Sequence, residues 1–346
     1  MAHRFPIKEI ARQAGISTAS VDRVINNRAH VSPQAKARVA RAISELGRQE
    51  HQMSTQGHQM FFDFVIEAPS RFSCEVKAAA EVVVDQLGTA ICRLRFATQE
   101  IMSVPEVVYI LNRIMKRGSH GVCLKARDVP AIRAAVDRVV AAGIPVVTLV
   151  TDIQNTARTA YVGLDNESAG RTAAYLIEHA MGLCKGTVLT TRSNNKFRGE
   201  EERETAFVAA IKIWNPQLRI VSTSSGGGVH YETTKELARL VPQLDDLKVV
   251  YSMGGGNITI LDMLDHERLV PQIFVAHDLD QENRVLINEG RINFILHHDL
   301  RADMQRVFGV FLRQQNRGVF DIGKLVSPVQ VITPENVPGP ESVPFS

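Results

Sequence analysis

The chain has 346 residues, of which 45% are hydrophobic and 22% charged, a balance that suits two or three folded domains and argues against a disordered protein. No run of about 18 apolar residues occurs, so no membrane span is expected. The opening Met1-Ala2-His3-Arg4-Phe5-Pro6 lacks the apolar stretch of a secretory signal, which points to a cytoplasmic protein. The formal charge of +3 is unevenly spread: residues 1–50 hold nine Lys/Arg against four acids, while the remainder is slightly acidic. A basic head on an acidic body fits a polyanion contact confined to the head. Cys74, Cys92, Cys123 and Cys184 form no C-x-x-C pair and read as reduced thiols.

Three short helices are expected first. Ile7, Ile10, Ala11 and Ala14 recur at helical spacing, and Gly15 supplies the tight turn that ends the helix. Ser17 caps a second helix with Val21, Val24 and Ile25 inside. Ser32-Pro33 starts a third, buried along Val39, Ala42, Ile43 and Leu46 and closed by Gly47. Periodicity alone fits a plain three-helix bundle as well as a helix-turn-helix. The full segment "IKEIARQAGISTASVDRVINNRAHVSPQAKARVARAISELG" resembles the headpiece of the lactose/galactose-repressor (LacI-type) family over about 41 residues without a gap. The resemblance implies a second helix in the DNA major groove, with Thr18, Ala19 and Arg23 at base edges. Chemistry agrees: an Arg fork pairs bidentately with guanine, and Thr or Ala meets a thymine methyl. It also implies phosphate contacts by Ser17, Ser20, Asn26, His30 and Ser32. Two residues depart from the family pattern. Pro6 replaces a capping Thr, and Asp22 replaces a Ser facing the backbone, where it needs Arg23 or Arg28 to offset its charge.

Residues 48–60 are polar and rich in Gln and His. The family's Pro-Asn-x-x-Ala-Arg-x-Leu hinge helix is missing, which leaves a tether or a short imperfect helix and no evident minor-groove wedge except Met53.

From Phe61, ten strand-like runs alternate with amphipathic stretches such as 73–87, 131–142, 167–181 and 231–243. The runs begin at FFDFVIEA (61–68) and end at INFILHH (292–298). This predicts two doubly wound parallel sheets, with a ligand between lobes near strand C-terminal ends. Over roughly 61–334 the body resembles the type I periplasmic sugar-binding fold. The likeness rests on V-G-x-D-N-x-x-A-G (Val162 to Gly170), R-G-E (Arg198 to Glu200), Y-x-x-G-G-G-N (Tyr251 to Asn257) and Asp278. It implies crossings between lobes near 160–166, 288–292 and 318–324. The expected division is a headpiece at 1–47, a linker at 48–60, a body at 61–334 and a tail at 335–346. Within the body, the N-lobe takes about 61–162 and 291–320, and the C-lobe about 163–290 and 321–334.

Strand-end positions nominate the pocket. Phe72 stacks on a sugar face or packs a helix start. Asp128 and Asp152 accept hydroxyl hydrogen bonds or cap local turns. The resemblance assigns Arg198, Asn257 and Asp278 to the ligand, and places His298 where sugar binders have Gln. Gly226-Gly227-Gly228 and Gly254-Gly255-Gly256 lack the Lys-Ser/Thr of a phosphate loop and read as flexible turns. His277, His297 and His298 have no ligand spacing that suggests a metal. With no G-x-S-x-G and no placed nucleophile and base, no catalytic residue and no cofactor is expected. The tail lacks leucine heptads. The expected protein is a repressor, homodimeric on double-stranded operator DNA and responsive to a sugar, polyol or sugar derivative. A solute-binding protein and a sugar-acting enzyme are the alternatives.

Overall fold

The computed structural model describes residues 5–339 except 27, 29–30, 56–58, 87–91, 194–196, 224–229 and 316–324; for 48–55 and 230–234 it describes the backbone alone. The head is α1 (Ile7–Ala14), α2 (Thr18–Ile25) and α3 (Pro33–Thr55). Its core is Ile10, Ala11, Val21, Val39, Ala42 and Leu46, joined by Phe5 and Ile16 from outside the helices. Gly15 takes φ 63° and returns its N–H to the end of α1. The third helix does not close at Gly47. It continues to Thr55, because Gly47 keeps a helical backbone and costs only about 1 kcal/mol relative to Ala there. The expected linker is therefore helical over its first eight residues.

Two six-stranded sheets make the body. The first contains β1 (Met60–Glu67), β2 (Cys92–Gln99), β3 (Gly121–Lys125), β4 (Val146–Leu149), β5 (Ala160–Leu164) and β11 (Val326–Ser327), in the order β11-β5-β4-β3-β1-β2. The second contains β6 (Gly186–Thr191), β7 (Leu218–Thr223), β8 (Leu247–Ser252), β9 (Ile273–His277), β10 (Phe294–His297) and β12 (Gln330–Ile332), in the order β12-β10-β9-β8-β6-β7. All neighbours are parallel except β10 and β12, which run antiparallel at one edge. All ten expected strand runs are present; the two short strands β11 and β12 were not anticipated.

Helices cover both faces of each sheet, which explains the near-continuous apolar strands. In the first lobe α4 (Ser70–Gln86) and α12 (Leu300–Gln314) cover one face, α5 (Val104–Arg117) and α6 (Pro130–Ala141) the other. Strand alternation shows in β1, where Phe62, Phe64 and Ile66 face α12 while Val65 faces α5. Phe62 stacks on Phe311 with ring centres 5.2 Å apart, and Phe308 meets it edge-on at 5.5 Å. In the second lobe α7 (Asn166–Met181) and α8 (Arg198–Trp214) cover one face, and α9 (His230–Leu240), α10 (Asn257–His266) and α11 (Gln281–Asn288) the other.

Three crossings join the lobes, two of them away from the expected places. The first is at Asp165, as anticipated. β10 belongs to the second sheet, so the second crossing lies between His297 and Leu300 rather than at 288–292. β11 belongs to the first sheet, so the third lies between Ser327 and Gln330 rather than at 318–324. An apolar strand reports its burial and not which sheet buries it, which is why the periodicity missed both. The start of the tail is packed down: Val337 lies on the second lobe, and Arg284 donates to the Pro338 carbonyl.

Candidate DNA-reading helix and effector cleft

In the head, Thr18, Ala19 and Arg23 are exposed on α2 while Val21 is fully buried, so the helix presents a polar face away from the bundle. Ser17 caps α2 by accepting from the Ser20 N–H at 3.2 Å, and its hydroxyl meets that of Ser20 at 2.9 Å. Ser32 caps α3 in the same way through Ala35. Pro6 precedes α1 without a side-chain cap, as the sequence implies. Asp22 accepts from the Asn26 amide at 2.8 Å and pairs with Arg28 at 3.3 Å, so its charge is offset locally. His30 and Gly226–Gly228 lie outside the described residues.

In the body, a cleft between the lobes encloses about 590 Å³ of space, part of it open to solvent. Of the seven pocket positions nominated by the sequence, Phe72 and Asp278 line it. Asp278 follows β9 with φ 63°, a left-handed conformation that Asp tolerates and that recurs at functional positions. His298 lies immediately behind it: Nε2 is 3.6 Å from the Asp278 carboxylate and has no hydrogen-bond partner, while Nδ1 meets Asp303 at 2.6 Å. Burial pulls the imidazole pKa down, but the hydrogen bond and charge of Asp303 outweigh it and hold it above the ordinary histidine value. Asn257 is buried beside α11, donating to Asn283 at 2.6 Å, with its Oδ1 unpartnered.

Asn257 and His298 lie behind the cleft wall, and three further expected pocket residues are held elsewhere. Asp128 is tied to Arg133. Asp152 accepts from Arg158 through both oxygens and from Thr148 and the Ile153 N–H, which ties it to its own lobe. Arg198 pairs with Glu202 one turn along α8 at 2.8 Å and does not line the cleft. Its neighbours Phe197, Gly199 and Glu200 do, and so does Arg203, which sequence reasoning passed over.

Arg203 is 2% exposed, with Nε donating to Asn166 Oδ1 at 2.7 Å and Nη1 to the Met253 carbonyl at 3.2 Å. Lys125 ends β3 and is 8% exposed; it donates to the Glu67 carbonyl at 3.0 Å and stands 4.1 Å from the centre of the Phe197 ring. A lysine in the otherwise apolar run Gly121–Lys125 was a legible signal. Glu200 is held by the N–H and hydroxyl of Ser193, and burial raises its pKa despite them. His277 reaches Tyr251 through Nε2 at 2.8 Å, and burial drives its pKa well down, so it is neutral.

Polar contacts also draw the lobes together. Arg71 on α4 pairs with Asp280 across the cleft at 2.8 Å, and the Gly199 N–H donates to Thr151 at 3.2 Å. Burial lifts the Asp280 carboxyl to about 6, with Arg71 opposing. The glycine turn after β8 is a close approach rather than slack chain: a Cβ on Gly254 would overlap the Ser193 backbone, and one on Gly255 would overlap Arg71. Among the described residues no cluster of His, Cys, Asp or Glu suits a metal ion, and no helix is long and apolar enough to cross a membrane.

Comparison with known proteins agrees with this geometry. Residues 55–302 match the family described as "Periplasmic binding protein domain", and residues 6–48 the family described as "Bacterial regulatory proteins, lacI family". The head is 51% identical over 41 residues to the HTH-type transcriptional regulator GalS of Salmonella typhimurium, a match spanning 12% of each chain. The body shares its fold with a putative LacI transcriptional regulator from Bacteroides fragilis, at 15% identity, a TM-score of 0.70 and coverage of 81% of this chain and 98% of that one. It is similarly close to the glucose-galactose binding protein GanP from Geobacillus stearothermophilus, at 19% identity, a TM-score of 0.69 and coverage of 81% and 99%. A solute-binding protein from Burkholderia graminis, solved with D-arabinose, matches at 17% identity and a TM-score of 0.70 over 80% and 96%.

Proposed function

Because the chain belongs to the periplasmic-binding-protein domain family and carries a lacI-family head, we propose that it is a ligand-responsive transcription regulator. In this reading it is a repressor that holds operator DNA through α2 and changes its grip when a sugar or sugar derivative occupies the cleft. The observation that carries the reading is one chain joining an exposed Thr18–Ala19–Arg23 face to a two-lobed body whose inter-lobe cleft is lined by aromatic and charged side chains.

Arg23, Thr18 and Ala19 read bases in the major groove. Ser17, Ser20, Asn26 and Ser32, with His30, set the register on phosphates. The cap hydroxyl of Ser32 accepts from a backbone N–H and keeps its own proton to donate to phosphate, while the Ser17–Ser20 pair shares one proton between its hydroxyls and has the other to donate. Asp22 positions Arg28 rather than meeting DNA itself. One head makes few base contacts, so a homodimer on a pseudo-palindrome supplies the missing specificity. In the cleft, Phe72, Asp278 and Arg203 touch the effector, with His298 fixing Asp278. The effector acts through its different affinity for the open and closed lobes. The head sets this chain apart from a stand-alone solute-binding protein, and its matches are to regulators and binding proteins.

The test is selection of duplexes from a random pool by the full-length protein, followed by anisotropy titration with and without sugars. A pseudo-palindrome whose affinity changes with a sugar supports the proposal. Enrichment of no sequence over non-specific binding sinks it.

A further inference from the structure

Most charges around the cleft have a partner of opposite sign. Arg71 pairs with Asp280 across the lobes, and Arg127 with Glu67 at 3.1 Å. Asp303 sits between His298 and Arg306, with Asp278 on the far side of the imidazole. Lys125 and Arg203 differ. Both are buried and both line the cavity, yet among the described residues neither has a carboxylate at ion-pair distance. Their hydrogen bonds go to a neutral carbonyl from Lys125, and to an amide oxygen and a carbonyl from Arg203. Glu200 faces both from α8 but spends its oxygens on Ser193, and it offsets one of the two charges. Lys125 and Arg203 therefore lean on carboxylates engaged with other groups, Glu200 with Ser193 and Asp278 beside His298, and neither cation has one in contact. Buried charges are ordinarily paired, because desolvating an isolated ion costs far more than its contacts return.

We propose that the effector is a sugar acid, a polyhydroxylated ring or chain bearing a single carboxylate that lies against Lys125 and Arg203. This rests on the sugar-responsive reading above and narrows it. Lys125 projects from the N-lobe and Arg203 from the C-lobe. A carboxylate between them therefore bridges the two lobes, joining binding to closure. Phe72 and Phe197 flank the ammonium at 5.7 and 4.1 Å and present apolar surface to the C–H face of the ligand. A single carboxylate meets both cations, whereas the further charge of a phosphate ester would lie near the Glu200 and Asp278 carboxylates. The lowered pKa of Lys125, caused by burial and only partly countered by Glu200, Glu67 and Asp278, agrees with a cation short of counter-charge.

The experiment uses the full-length protein and matched probes: D-glucose, D-galactose and D-arabinose, the corresponding aldonates and uronates, and the corresponding sugar phosphates. Thermal shift finds binders, and calorimetry measures their affinity. We expect an acid to bind at least 10-fold tighter than its neutral parent, and K125M to abolish that preference. Without ligand, K125M should melt about 2 °C or more above the wild type, since it removes a buried charge with no carboxylate in contact. A neutral sugar binding as tightly as its acid overturns the inference and leaves the sugar-responsive reading standing. A phosphate ester binding tighter than the acid overturns the single-charge argument. A lower melting temperature for folded K125M makes Lys125 a structural partner of Glu200 and also overturns it. Should K125M fail to fold, the wild-type preference between acid and parent decides. Stabilisation by no probe sinks the sugar reading and this inference together.

Discussion

Arg23 and Asp280 offer single-residue tests of the two proposed sites. Arg23 is exposed on α2 and unencumbered by the Asp22–Arg28 pair. Arg23→Ala should therefore lower discrimination between operator and non-specific DNA by about 1–3 kcal/mol. Parallel titrations on both duplexes check this; an equal loss on both would make Arg23 a phosphate contact. Asp280 has a pKa near 6 in the closed cleft, against 3.8 for the free side chain. A carboxyl raised on closure contributes stability that is fully present below 3.8 and lost as pH rises through 6. Asp280→Asn keeps an acceptor for the Asn283 N–H and mimics the protonated form. It should melt above the wild type at pH 7.5, with the gap narrowing below pH 6 and closing only as the pH falls below 3.8. A constant difference across that range would place the titration elsewhere. At this scale the sequence was only partly legible. Strand-end position brings a residue near the cleft but does not say what else it meets first. Asp128 and Asp152 each have an arginine five or six residues on, and those local pairs captured them. Arg198 was drawn off by Glu202, a pairing that i,i+4 spacing on a helix does announce.

At the level of elements, the segment Val162–Gly170 explains how Arg203 is held. Asp165 caps α7 through the Ser168 N–H at 2.9 Å. Asn166 accepts from Arg203 and donates to Tyr161 at 3.2 Å. Gly170 lets α8 approach so closely that a Cβ there would overlap the Arg203 carbonyl oxygen. The motif was visible in the sequence, whereas its partner on α8, 33 residues beyond Gly170, was not. Gly170→Ala should cost about 1–3 kcal/mol through overpacking. It should also blunt the effector response while operator binding persists. Denaturant melts and anisotropy test the two parts separately, and a full response in G170A would show that α7 and α8 can part without moving Arg203. Gly47 is the opposite case. It lies within α3 with open space around its missing Cβ. Gly47→Ala should stabilise the head by about 0.5–1 kcal/mol, measured by hydrogen exchange of α3 amides. No gain would mean that the helix does not persist past residue 47 in solution. The apolar rows of the head were read correctly residue by residue, because short amphipathic helices bury one stripe and leave little else to decide. The third helix ran past its expected end because a lone glycine lowers helix stability without enforcing a stop.

For the whole molecule, the alternation of strands and helices was enough to give two wound sheets, while the crossings depended on tertiary choices that hydrophobicity does not encode. β10 and β11 are short strands that either sheet could bury. The outcome is a first lobe assembled from two separate stretches of chain, one before Asp165 and one after His297. Phe62 and Phe64, near the start of the body, are covered by Phe308 and Phe311 of α12. During translation those partners arrive roughly 250 residues apart, an interval of about 12–50 s at ribosomal speeds of 5–20 residues per second. The DNA-reading head, complete by residue 55, has a contiguous core and emerges long before the lobe that follows it can close. A nascent chain stalled before α12 would thus carry a formed head above an open aromatic face. That face is the natural target of chaperones, and the reason truncations upstream of residue 300 should aggregate rather than yield a smaller regulator.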